Sequence, residues 1–212
     1  MKPGKPEDSL AVILLAAGAS SRMGRPKMLL PWGNTTVLGH LLQVWQELGA
    51  AQIAAVSAAG DAAVNLELDR LGLPPEGRIV NPDPRRGMFS SIQCAGLWKG
   101  WQTGLTHWAI VLGDQPHLPK STLRALLDFA SDYSAMICQP SRSGRPRHPV
   151  LLPREAFERL AKTEAETLKQ FLEKNDVKLL EMNDPGLDLD IDRPDDYEKA
   201  RQLFIARNST TA

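Results

Sequence analysis

The 212-residue chain has 42% apolar and 24% charged side chains, enough for one sizeable α/β core but short for two domains. Its 25 basic and 25 acidic residues cancel, which excludes the net positive field expected of a nucleic-acid or anionic-membrane binder. Cys94 and Cys138 fit no metal or redox spacing and are expected to pack structurally.

Residues 1–9 are expected to form a flexible polar tail, carrying Lys2, Lys5, Glu7 and Asp8, rather than a signal peptide. The apolar run Leu10–Ala17 is too short to span a bilayer, and the expected compartment is the cytoplasm. Ala11–Leu15 predicts a doubly buried strand, followed by a Gly/Ser/Arg-rich loop from Ala16 to Lys27. Asn34 or Thr35 is placed to cap a helix whose apolar face runs through Val37, Leu38, Leu41, Leu42, Trp45 and Leu48, with Gly49 closing it. Ile53–Ser57 is the second expected strand, Val64–Leu71 a short helix and Arg78–Val80 a short strand. Gly87 and Ser90 open a further helix, and Trp108–Leu112 forms a strand delivering Gly113-Asp114-Gln115-Pro116.

Further on, Leu123–Phe129 is expected to be helical, Ala135–Cys138 strand-like, and His148–Leu152 a short strand ending at Pro153. Helical segments follow near Arg154–Ala161 and Thr167–Glu173, then a last strand over Leu187–Ile191. Pro194 starts the closing helix, and 208–212 form a C-terminal tail after a single domain spanning 10–207. Strands alternating with helices argue for a mostly parallel twisted sheet covered on both faces, a three-layer α/β sandwich. Trp45 is expected in the core, whereas Trp98 and Trp101 are candidates for a surface or partner interface.

The loop Leu15-Ala16-Ala17-Gly18-Ala19-Ser20-Ser21-Arg22-Met23-Gly24-Arg25-Pro26-Lys27 carries the most chemistry. Small residues directly after a strand let backbone N–H groups approach an anion closely. Arg22, Arg25 and Lys27 add cations on the scale a triphosphate requires. Gly18 and Gly24 do not have the spacing of a Walker loop, Met28 follows Lys27, and no G-x-G-x-x-G is present.

The same stretch, continued through Met28-Leu29-Leu30, resembles the signature of the molybdenum-cofactor nucleotidyltransferase family within the NTP-transferase superfamily. The resemblance extends through Gly113-Asp114-Gln115-Pro116 and Asp190-Ile191-Asp192-Arg193-Pro194, nearly the whole chain. It implies a Rossmann-like, nucleotide-diphospho-sugar-transferase-like fold and an enzyme. Leu15, Ala16, Ala17, Gly18, Arg22 and Lys27 would hold the nucleotide phosphates, with Ser91 as the base contact. Leu15-Ala16-Ala17-Gly18 resembles the cytidylyl branch, since guanylyl members usually read Leu-Ala-Gly-Gly.

Asp188, Asp190 and Asp192 alternate with Leu187, Leu189 and Ile191, so on a strand the carboxylates share one face. Such a face is either a solvated edge or a cation site. The resemblance implies that Asp114 and Asp190 bind Mg²⁺ or Mn²⁺, with Asp192 beside them and Asp188 solvated. With a phosphate monoester as acceptor the nucleophile is already anionic near neutral pH, so no catalytic base is needed. Lys27, Arg22 and Asp114 are then the expected catalytic residues.

Gly87, Ser90, Gln115 and His148 are the expected acceptor contacts, the last because His148-Pro149-Val150 resembles the acceptor side of cytidylyl-transferring members. A stretch at Thr163–Phe171 departs from the Gly-Asp-rich segment of many such members. The expected function is transfer of CMP from CTP onto molybdopterin or the molybdenum cofactor, with pyrophosphate released. Its alternatives are transfer onto a sugar phosphate or isoprenoid-type acceptor, and a non-catalytic molybdenum-cofactor insertion chaperone. Expected partners are the small-molecule substrates and a molybdoenzyme or its chaperone, without nucleic acid or membrane.

Overall fold

The structure, a computed structural model, describes residues 9–18, 20 and 22–209, so most of the expected N-terminal tail and residues 210–212 lie outside the described residues. In chain order the elements are β1 (Leu10–Leu15), β2 (Pro31–Trp32), β3 (Thr35–Thr36), α1 (Val37–Glu47), β4 (Gln52–Ala58), α2 (Ala62–Arg70), β5 (Arg78–Asn81) and α3 (Met88–Leu97). They continue with β6 (His107–Leu112), α4 (Lys120–Asp132), β7 (Ile137–Arg142), β8 (Arg145–Pro146), β9 (Val150–Pro153), α5 (Arg154–Leu160), α6 (Leu168–Glu173), β10 (Val177–Glu181) and α7 (Pro194–Ser209).

The main sheet runs β10-β7-β9-β6-β1-β4-β5, with β8 added beside β7. It is parallel except at β9, which is antiparallel to β6 and β7, and at the β7–β8 hairpin. All six residues of β1 are buried, as its unbroken apolar run requires of a strand covered on both faces. Its side chains divide by parity. Val12 and Leu14 join the core beneath α1, α2, α4 and α7, while Ala11, Ile13 and Leu15 join the one beneath α3, α5 and α6. Each fully buried Leu or Ile here stabilises the fold by roughly 1.5–3 kcal/mol relative to exposure.

Chain order makes β1 the turning point. The chain passes outward through β4 and β5, then returns to place β6 on the other side of β1. Connections diverging from neighbouring parallel strands leave a crevice outside their carboxyl ends, where ligands of such sheets bind. The Gly-rich loop leaves β1 there, and Gly113-Asp114 leaves β6 there.

Most expected elements are present, with three differences. The α1 cap is Thr36, whose Oγ1 accepts from the Gly39 N–H at 3.1 Å, rather than Asn34 or Thr35. The Leu187–Ile191 segment is not a strand. A 3-10 turn, Pro185–Asp188, interrupts it because Asp184 accepts from the Gly186 N–H, from Thr122 Oγ1 and from Arg207. The last strand is instead β10, which pairs parallel to β7; its polar Lys178 and Glu181 conceal it in the sequence. Trp98 and Trp101, both partly exposed, form an edge-to-face pair at 4.8 Å with Trp101 against Phe157, and Trp45 is core as expected. Among the described residues no helix is long and apolar enough to cross a membrane.

Gly113 brings the β6 turn against the loop: a Cβ there would stand 2.5 Å from the Leu15 carbonyl oxygen and 2.7 Å from Met28 Sδ. Gly113→Ala is expected to lower unfolding free energy by about 1–3 kcal/mol through forced displacement of packed neighbours. A urea titration checks this, and an unchanged midpoint would show that the turn has room to spare.

Candidate active site

The loop after β1 closes on itself. The Ala16 N–H continues the sheet by donating to the Val56 carbonyl at 2.8 Å, so it is not free for a ligand. Ser20, in the left-handed region at φ 47°, accepts at Oγ from the Lys27 backbone N–H at 3.0 Å. Met23 and Met28 are buried and anchor the loop from beneath, which turns the neighbouring Lys27 side chain into the crevice. Ala19 and Ser21, part of the expected cradle, lie outside the described residues.

Lys27 Nζ donates to Asp114 Oδ2 at 3.2 Å and to Asp192 Oδ1 at 3.0 Å, joining three segments far apart in sequence. Arg22 reaches the other Asp192 oxygen at 3.1 Å. A backbone bond from Ile191 N to the Asp114 carbonyl, 3.0 Å, holds the late acidic segment against the β6 turn. Gln115 donates to Asp190 Oδ1 at 2.9 Å, so this expected acceptor contact is engaged with Asp190. Arg25, expected among the phosphate cations, lies over the Tyr197 ring at 5.9 Å.

The electrostatics follow from these contacts. Burial disfavours the Lys27 charge, but the Asp114 and Asp192 carboxylates outweigh it and raise its pKa. Its ammonium hydrogen bond holds the Asp192 carboxyl below its ordinary value. Burial, followed by the like charge of Asp114, pushes Asp190 up, with the Gln115 hydrogen bond opposing. Asp188 is not free in solvent as expected. Arg147 grips it at 2.5 and 2.8 Å and Arg142 also binds it, which takes it out of the Asp190–Asp192 group and holds its carboxyl low.

The residues present suit a divalent cation. Asp114 Oδ1 is buried without a hydrogen-bond partner, and the ammonium beside its Oδ2 shows where positive charge is favoured. Among the described residues, no three acidic, imidazole or thiol side chains gather into a cage able to hold a metal unaided. Mg²⁺ commonly takes one or two carboxylates and completes its shell with water and substrate phosphate.

Two cavities open beside this cluster. One, about 280 Å³, is lined by Leu15, Ala17, Gly18, Gly87, Ser91 and Asp114, among others. Gly87 takes φ 93°, a conformation that leaves the α3 N-terminus open to the cleft. Asn81 Nδ2 donates to Ser90 Oγ at 2.8 Å and to Ser91 Oγ at 2.9 Å. Ser90 then turns back to donate to the Gly87 carbonyl at 2.7 Å, while Ser91, equally buried, lines the smaller cavity. The second cavity, about 540 Å³, contains His148 and shares Met88 with the first. Sequence reasoning missed Ser20 as the brace of Lys27, the Arg142–Arg147 grip on Asp188, and Gln139 on the floor of the larger cavity. A polar residue within an apolar strand was the available signal for Gln139.

On this Rossmann-like α/β fold a Gly-rich loop faces carboxylates across the β1–β6 crevice, where ligands of such sheets bind. The profile of the MobA-like NTP transferase domain matches residues 12–179, and the chain belongs to this family. It is 27% identical over 193 residues to the molybdenum cofactor cytidylyltransferase of Escherichia coli K12, covering 91% of this chain and 95% of that one. A probable molybdenum cofactor guanylyltransferase of Bacillus mycoides is 25% identical over 203 residues, covering 91% and 96%. Two crystal structures of Rv0371c from Mycobacterium tuberculosis H37Rv, one a complex with manganese, match at TM-scores of 0.74 and 0.68. Their identities are 28% and 26%, over 92% of this chain and 98% of theirs.

His148 supplies a pH prediction. Burial pushes its pKa down to about 4 from 6.5, so the ring is neutral at pH 7. The unfolded chain takes up this proton below about 6.5 and the folded chain only near 4, so stability falls as pH drops through that window. The loss expected by pH 4 is on the order of 3 kcal/mol, and His148→Gln should abolish that share of it. Denaturant midpoints for both proteins from pH 7 to 4 test this. Parallel curves would contradict it.

Proposed function

We propose that the enzyme transfers CMP from CTP onto a phosphate-bearing pterin-type acceptor, molybdopterin or the molybdenum cofactor, and releases pyrophosphate. The observation carrying this reading is Lys27, braced by Ser20 and standing between Asp114 and Asp192 at the mouth of the Gly-rich loop. The backbone of Leu15, Ala17 and Gly18 approaches the triphosphate, while Ala16 supports them from within the sheet. Lys27 and Arg22 neutralise the phosphate tail, and Ser91, fixed by Asn81, meets the base. Asp114 and Asp190 hold Mg²⁺ or Mn²⁺, with Asp192 next to them and Gln115 positioning Asp190. The bound cation supplies charge stabilisation to the phosphates. Manganese in the Rv0371c complex supports a divalent ion, and the Leu15–Gly18 resemblance and the Escherichia coli relative support CTP.

The reaction needs an in-line displacement. An oxygen of the acceptor phosphate bonds to the α-phosphorus of CTP, the α–β bridging bond breaks, and its electron pair leaves with pyrophosphate. No proton need be removed from an already anionic nucleophile, which fits a site whose half-buried His148 is kept neutral by desolvation. Positioning and charge neutralisation carry the catalysis. Lys27 exchanges its carboxylate partners for phosphate as substrate enters. The reading places the enzyme in the cytoplasm, with a molybdoenzyme or its chaperone receiving the product.

Pyrophosphate release, measured for CTP, GTP, ATP and UTP with pterin, sugar-phosphate and isoprenoid-type acceptors, is expected to be highest with CTP and the pterin. Asp114→Asn should cut turnover by about two to three orders of magnitude while melting as the parent does. Full activity in that variant removes Asp114 from the mechanism. Cofactor binding without pyrophosphate release under any NTP supports an insertion chaperone instead.

A further inference from the structure

The turn after β6 and the late acidic segment carry like charge, yet the fold holds them side by side. Burial and then the neighbouring Asp114 carboxylate push the Asp190 pKa up, so the two repel when both are ionised. Neutral hydrogen bonds cross between the segments and oppose that repulsion. Ile191 donates its backbone N–H to the Asp114 carbonyl at 3.0 Å, and Gln115 donates to Asp190 at 2.9 Å. Both bonds lie beside the carboxylates themselves. A further crossing point lies deeper, where His117 Nε2 meets the Gly186 carbonyl at 2.9 Å.

His117 is 1% exposed, and burial lowers its pKa, so the ring is neutral at pH 7. A carbonyl oxygen can only accept, so Nε2 carries the single ring proton. Nδ1 is then the bare nitrogen, and its lack of a partner leaves no buried N–H unsatisfied. Gly186 permits the close approach, since a Cβ there would stand 3.1 Å from His117 Cδ2. Arg207 of α7 spans the same junction. Its Nη1 donates to the His117 carbonyl at 3.0 Å, and its Nη2 binds Asp184, which accepts from the Gly186 N–H at 2.8 Å. The β6 turn, the acidic segment and the closing helix are therefore tied at one buried point ahead of Asp190.

We propose that His117 is a positioning residue for the divalent-cation site, its bond to Gly186 holding Asp190 beside Asp114 before a cation arrives. This role rests on the reading of those two aspartates as cation ligands and adds the residue that sets their spacing. Without the His117–Gly186 bond, the acidic segment relaxes away from the turn under like-charge repulsion. An incoming cation must then draw the two together, and its binding weakens although every ligand is still present.

Mn²⁺ affinity of the full chain, read without nucleotide by electron paramagnetic resonance, tests the role apart from activity. His117→Phe keeps a planar ring and removes the N–H, and affinity should fall about tenfold. His117→Gln returns an amide donor near the Nε2 position and should recover affinity to within about threefold of the wild type. Lower melting temperatures in both variants with unchanged Mn²⁺ affinity would mean packing alone, and would overturn the proposal. In an Asp190→Asn background the His117→Phe effect should vanish, because the bond acts through Asp190; an effect of full size there also overturns it. Should the phenylalanine variant fail to fold, Arg207→Met cuts the tie to His117 and Asp184 from a partly exposed side chain. It should weaken Mn²⁺ about threefold, and unchanged affinity counts against the role. If Asp114→Asn and Asp190→Asn leave Mn²⁺ affinity as it was, the cation reading itself fails. If they weaken it and folded His117→Phe does not, the positioning role alone fails.

Discussion

Lys27 reaches from the loop after β1 to Asp114 on the turn after β6 and to Asp192 beyond the Pro185–Asp188 turn. These segments are 87 and 165 residues from Lys27 along the chain, and the ammonium lies between carboxylates in a partly buried crevice. Removing charges from water is unfavourable unless each finds a partner of opposite sign, so the three side chains stabilise one another's placement. The fold supplies the rest: the Ser20 brace behind Lys27, the backbone bond from Ile191 to Asp114, and the Gln115 contact on Asp190. The arrangement is a charge balance with an exchangeable member, because a phosphate chain and its cation can replace Lys27's partners with others.

The two cavities beside the carboxylates have different walls. Small residues and positive φ at Gly87 shape the one beside the loop, while side chains of α6, β7 and β10 shape the other. Asn81 locks the start of α3 by bonding Ser90 and Ser91 together, and this fixes Met88 where the cavities meet. The Arg142 and Arg147 grip on Asp188 ties the β7–β9 hairpin region to the acidic segment. That region and the carboxylates are therefore mechanically connected, although they derive from different elements.

The central strands were legible because β1 and β6 are continuous apolar runs bounded by glycine, and burial on both faces permits nothing else. The loop was legible for the same reason: small residues and cations follow directly on a buried strand. The acidic segment misled. Its alternation at Asp188, Asp190 and Asp192 mimics a strand, but capping by Asp184 and anchoring by Thr122 and Arg207 override local period two. Edge strand β10 was hidden because a half-exposed strand need not be apolar. Partnerships across long separations, such as Gln115 with Asp190 or Arg147 with Asp188, leave no mark in linear spacing.

If Lys27 occupies charge space that a metal ion needs, removing its ammonium should unmask the carboxylates. Mn²⁺ titration by electron paramagnetic resonance, without nucleotide, compares the wild type with Lys27→Met most directly. The account predicts tighter Mn²⁺ binding in the variant, and loss of that gain when Asp114→Asn is added. Equal or weaker binding in Lys27→Met would show that the lysine and the cation do not share the crevice, and would contradict the account.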